Sequence, residues 1–114
     1  MVINAGHEEI DLPHIKKHMD AFVKAGGDVS LETLADNGIL ALQGPKAAAV
    51  LQKLVDEDLS QMGFMSAKPM TVAGLSDCFV ARSGYTGEDG FEIAVPKGAA
   101  AKHGVVTLLS LIHI

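Results

Sequence analysis

Glu92 is the residue best placed to do chemistry. It follows a glycine-rich run, Arg82-Ser83-Gly84-Tyr85-Thr86-Gly87-Glu88-Asp89-Gly90-Phe91, which holds the only tyrosine of the chain, Tyr85. A carboxylate accepts hydrogen bonds at two oxygens. Set on a rigid strand, it can read the paired donors along one edge of a bound heterocycle. Gly84, Gly87 and Gly90 can take backbone angles closed to other residues, so the run can fold tightly and lie close to a ligand. The same composition also makes an ordinary acidic hairpin turn with Glu92 on the wet face of a sheet, since glycine and acidic residues are common turn formers. Other groups promise less. His14 and His18 have the i,i+4 spacing that can chelate zinc, but no third ligand is in view, and they read as the edge of a polar helix face. Glu88 and Asp89 offer too few ligands for a metal, so no metal site is expected. Gly44-Pro45-Lys46 lacks the spaced glycines and the Lys-Ser/Thr pair of a phosphate loop. Cys78, the one cysteine, sits in an apolar run and reads as a reduced core residue in a reducing compartment.

Two strands must position Glu92. Cys78-Phe79-Val80-Ala81 precedes the glycine-rich run. Phe91-Glu92-Ile93-Ala94-Val95 follows it, alternates at period two and stops at Pro96. That alternation places Phe91, Ile93 and Val95 on one face and Glu92 on the other.

The remaining elements can be taken in chain order. Met1 to Ala5 reads as a short strand broken by Gly6. Asp11 reads as an N-cap with Pro13 in the first turn, and Leu12, Ile15, Met19, Phe22 and Val23 form an apolar helical stripe that ends at Gly26-Gly27. Asp28 to Ala35 reads as a strand, Asp36-Asn37-Gly38 as a hairpin turn, and Ile39 to Gln43 as the return strand. Gly44-Pro45 opens a second helix, with Ala47, Val50, Leu51 and Leu54 as its stripe. Asp56-Glu57-Asp58-Leu59 starts a short helical turn closed by Gly63. Lys68 to Ala73 and Ser76 to Ser83 are strands around Gly74, and 98–109 reads as a last helix. The order is that of an α+β fold: a largely antiparallel sheet with helices packed on one face.

With 114 residues, 48% of them hydrophobic and 20% charged, the chain has the length and composition of one small domain with a core. A net charge of −5 without a Lys/Arg cluster, and no tryptophan, argue against a nucleic-acid partner. The apolar C-terminal run from Val105 to Ile114 is too short to span a bilayer as a helix. No targeting segment opens the chain, and both ends read as cut from something longer. The raw edges expected at Ile39-Leu40-Ala41-Leu42 and Val105-Val106 invite self-association.

Three runs carry a family resemblance: Ile3-Asn4-Ala5-Gly6, Leu40-Ala41-Leu42-Gln43-Gly44-Pro45, and Arg82 through Glu92. In this order and spacing they resemble the T-protein of the glycine cleavage system, an aminomethyltransferase. The likeness covers about residues 2 to 100, so 1–100 is expected to be part of the family's folate-binding domain and 101–114 a divergent C-terminal tail. It implies a cloverleaf of three domains around a folate channel. It also implies transfer of a methylene from the lipoylated H-protein to the co-substrate tetrahydrofolate, with release of ammonia. Three family folate contacts fall on Asn4, Tyr85 and Glu92. Glu92 would bind the pterin, whose ring N–H and exocyclic amine suit a carboxylate. Tyr85 would offer an aromatic face to the aminobenzoyl group and Asn4 a donor and acceptor. The family's key aspartate falls upstream of Met1, so no catalytic residue is carried over, and the chain alone is expected to be inactive because attack geometry needs the complete channel. The family works in the mitochondrial matrix of eukaryotes and in the bacterial cytoplasm. Related folds leave two other readings open. One is the folate domain of a sarcosine or dimethylglycine dehydrogenase or an iron–sulfur assembly protein; the other is a non-catalytic module that binds a partner through its sheet.

Overall fold

The computed structural model describes residues 1–34 and 36–96. They fall into two units, divided at Leu34 and Ala35. In the first unit the expected strand at Met1 to Ala5 is absent. Asn4 is extended and leads into a 3-10 turn, Ala5–His7, then into helix α1, Glu8–Lys24. The helix starts a turn before Asp11 because Glu8, Glu9 and Asp11 all place negative charge at its positive end. Pro13 therefore lies inside the helix. The stop is as expected: Gly26 has φ 91°, and the Phe22 ring occupies the space that a Cβ on Gly27 would need. The strand expected at Asp28 to Ala35 does not form over residues 28–34.

The second unit is built on a four-stranded antiparallel sheet in the order β1-β4-β3-β2. Its strands are β1 (Gly38–Gln43), β2 (Ala67–Val72), β3 (Leu75–Ala81) and β4 (Gly90–Val95). The hairpin expected at Asp36-Asn37-Gly38 has no first strand to join. Instead β1 pairs with β4, with Leu42 opposite Phe91 and Leu40 opposite Ile93. β4 also pairs with β3, where Val80 lies opposite Ile93. The alternation of β4 is as read: Phe91, Ile93 and Val95 are buried, and Glu92 is half-buried on the other face.

Among the described residues, helix α2 (Ala47–Leu51) and a 3-10 turn at Leu59–Gln61 are the helical pieces of this unit. Leu51 and Leu59 from these pieces, with nearby Val55 and Met62, join Leu42, Met70, Val72, Cys78, Val80, Phe91 and Ile93 in one core. Each fully buried aliphatic or aromatic side chain there contributes about 1.5–3 kcal/mol relative to exposure. Gln52 braces the connection, donating to the Glu57 carbonyl at 2.7 Å and accepting from the Leu59 N–H at 2.9 Å. The helix expected over 98–109, and the tail from 101, lie outside the described residues.

The β2–β3 turn places Ala73 at φ 51° and Gly74 at φ 78°, the paired positive angles of a type I′ hairpin. Alanine is disfavoured there, because its Cβ crowds the following carbonyl oxygen. Ala73→Gly is therefore expected to stabilise the chain by about 0.5–1 kcal/mol. A urea midpoint that falls on this substitution would show that the lost methyl packing outweighs the relieved angle.

Candidate functional site

The glycine-rich run is held at both ends by one ion pair. Arg82, just past β3, donates from Nε to Asp89 Oδ1 at 3.0 Å and from Nη2 to Asp89 Oδ2 at 2.7 Å. This two-bond fork is the geometry for which a guanidinium is suited and an ammonium is not. The remaining nitrogen, Nη1, donates to the carbonyls of Leu59 at 3.0 Å and Met62 at 2.7 Å. The guanidinium also lies over the Phe91 ring, 5.4 Å from its centroid. The hydrogen bonds to Arg82 hold the Asp89 carboxyl below the usual carboxylate range, and the same bonds push the guanidinium further up.

A second tie comes from Gln43, the last residue of β1. Its Nε2 donates to the Ser83 carbonyl at 3.0 Å and the Phe91 carbonyl at 3.3 Å, and its Oε1 accepts from Thr86 Oγ1 at 3.3 Å. A Cβ added at Gly84 or Gly90 would overlap this amide. Those two glycines thus clear the space that Gln43 fills. The Gly44 N–H adds a bond to the Asp89 carbonyl at 2.8 Å. The two motifs of the second unit, Leu40 to Pro45 and Arg82 to Glu92, are therefore one structure.

Glu92 sits on the sheet face away from the core. Ala41 lies opposite it on β1 and Ala81 on β3, so its cross-strand neighbours are methyl groups. The row beside it, Ile39, Ala94 and Phe79, is apolar, with Ile39 and Phe79 about half exposed (47% and 49%). Glu92 Oε2 accepts from Ser83 Oγ at 2.5 Å. The result is an open face with one carboxylate held by a serine. Among the described residues, the hollow of about 130 Å³ beside Gln61 and Lys68 and that of about 300 Å³ beside Gln52 and Arg82 are not lined by Glu92. Tyr85, at 98% exposure, stands out from the loop. Asn4 belongs to the first unit, where it is exposed and its carbonyl accepts from the His7 N–H at 2.9 Å.

Arg82, Asp89, Gln43 and Ser83 were not singled out by residue type. Opposite charges at the two ends of a glycine-rich loop were a usable signal for the first pair. The His14 and His18 rings approach to 4.6 Å on α1. Among the described residues no group of three or more metal-ligating side chains forms. Among the same residues no helix is long and apolar enough to cross a membrane.

Comparison with known proteins supports the resemblance. Residues 1–108 match the family model described as the GCVT N-terminal domain. A pea protein named "Aminomethyltransferase, mitochondrial" is 49% identical over 113 residues, covering 99% of this chain and 26% of the relative. Proteins of the same name from Dictyostelium discoideum and from dog are 47% and 48% identical, each over 90% of this chain and 26% and 25% of their own length. The chain thus spans about a quarter of the length of the curated relatives it matches. On this match, which takes in both the Gln43 pin and the loop it holds, the chain belongs to the GCVT N-terminal domain family.

Proposed function

We propose that this chain is the folate-facing part of an aminomethyltransferase. The reaction is transfer of a methylene from the aminomethyl-lipoyl arm of an H-protein to tetrahydrofolate, with release of ammonia. The observation that carries this reading is the placement of Glu92. Its carboxylate lies between Ala41 and Ala81 on an open sheet face, with one oxygen already held by Ser83. Methyl neighbours leave room for a flat ring. The free carboxylate positions suit two parallel N–H donors, such as the pterin ring N–H and its exocyclic amine.

Tyr85 adds an aromatic face that the loop presents to solvent. This chain's own residues bind and orient; attack needs the two reacting centres held together, so activity belongs to a protein of the relatives' length. In a eukaryote the location that fits the relatives' names is mitochondrial.

Titration of the 114-residue chain with tetrahydrofolate, followed by amide chemical shifts, tests the reading. Saturable shifts are expected along residues 83–94. Glu92→Gln should weaken binding about tenfold, because a charge-assisted bond becomes a neutral one and one of the two acceptors becomes a donor. Saturable binding that is indifferent to Glu92→Gln would remove the basis for the proposal.

A further inference from the structure

We propose that Ser83 is a positioning residue for the Glu92 carboxylate, and that Gln43 fixes Ser83 for that task. This rests on the folate-facing reading of Glu92. Ser83 lies two residues past Ala81, the register partner of Glu92, so its side chain falls on the same face at a diagonal position. Its hydroxyl has one proton and gives it to Glu92 Oε2 at 2.5 Å. Each carboxylate oxygen has two acceptor positions. Ser83 occupies one of them and leaves Oε1, with the second position on Oε2, for a pair of ligand donors.

The Gln43 amide bonds the Ser83 and Phe91 carbonyls. One belongs to the residue that bears the hydroxyl and the other to the residue that precedes Glu92. A single side chain thus fixes both ends of the Ser83–Glu92 bond. A glutamate held in one rotamer before the ligand arrives need not be ordered on binding, which strengthens affinity without adding a contact.

The test uses the full chain and the variants Ser83→Ala, Ser83→Thr, Gln43→Ala and Glu92→Gln. Three-bond couplings of the Glu92 side chain should report one rotamer in the wild type and in Ser83→Thr, which keeps the hydroxyl. They should be averaged in Ser83→Ala and Gln43→Ala. Ser83→Ala should raise the Kd for tetrahydrofolate about tenfold, Ser83→Thr should restore it to within about twofold, and Ser83→Ala combined with Glu92→Gln should bind no more weakly than Glu92→Gln alone. Averaged couplings in the wild type, or additive losses in the double variant, overturn the role of Ser83 while Glu92 keeps its own. A single Glu92 rotamer in Gln43→Ala overturns the part given to Gln43. A Kd unmoved by Glu92→Gln sinks the folate reading, and the role of Ser83 with it.

Discussion

Arg82→Ala is expected to lower the unfolding free energy of the chain by about 3 kcal/mol, the sum of a lost charged fork and two lost bonds to carbonyls. The substitution leaves the Leu59 and Met62 carbonyls and the Asp89 carboxylate without the guanidinium that now serves all three. It also removes the cation from the Phe91 ring. Arg82→Lys should recover less than half of the loss, because a single ammonium cannot fork onto Asp89 and reach two carbonyls at once. Urea denaturation, with an unchanged m-value, measures both.

The pair also sets an acid dependence. Asp89 is held below its ordinary range in the folded chain by the bond from Arg82. A carboxyl with a depressed folded pKa gives its full stabilisation above its unfolded value, near 4. That stabilisation is lost as the pH falls from there through the folded value. The acid limb of the stability curve should therefore flatten in Arg82→Ala. A loss below about 1 kcal/mol would assign the pair to the weak surface class, where solvent screens most of the attraction.

Gly90→Ala is expected to cost about 2 kcal/mol, and the loss should largely vanish in a Gln43→Ala background. The new methyl would overlap the Gln43 amide. That amide is the far end of a flexible side chain, so it moves aside instead of forcing the backbone. What the chain then loses is the set of bonds from Gln43 to Ser83, Phe91 and Thr86, each worth about 0.5–1.5 kcal/mol net. Gln43→Ala alone should cost a similar amount, so the two changes are non-additive. Full additivity in the double-mutant cycle would mean that Gly90 is required for another reason.

What was legible follows from the range of the forces involved. The strands around Gly74 and the alternation of Phe91 to Val95 were readable because period-two burial is written into adjacent residues. The helix stop at Gly26-Gly27 was readable for the same local reason. The start of α1 was misjudged because three acidic residues compete for its first turn, and Asp11 is merely one of them. Asp36-Asn37-Gly38 carries a strong hairpin signal, yet β1 takes β4 as its partner. Residues 28–34 are exposed and form no strand, and propensity alone does not suffice because a strand is stabilised by what it pairs with. The Gln43 pin was invisible for a related reason: its role exists only once Gly84 and Gly90, more than forty residues away in sequence, are brought beside it. Glu92 stands out in the sequence by its type and position, whereas Ser83, which donates to it, does not.

The sole thiol gives the core a chemical clock. Cys78 is 1% exposed on β3, and burial pushes its pKa up, so a disulfide reagent has neither access nor thiolate while the sheet is closed. Labelling must wait for β3 to part from its neighbours. Its rate at fixed reagent concentration then counts openings, without a probe having to be introduced.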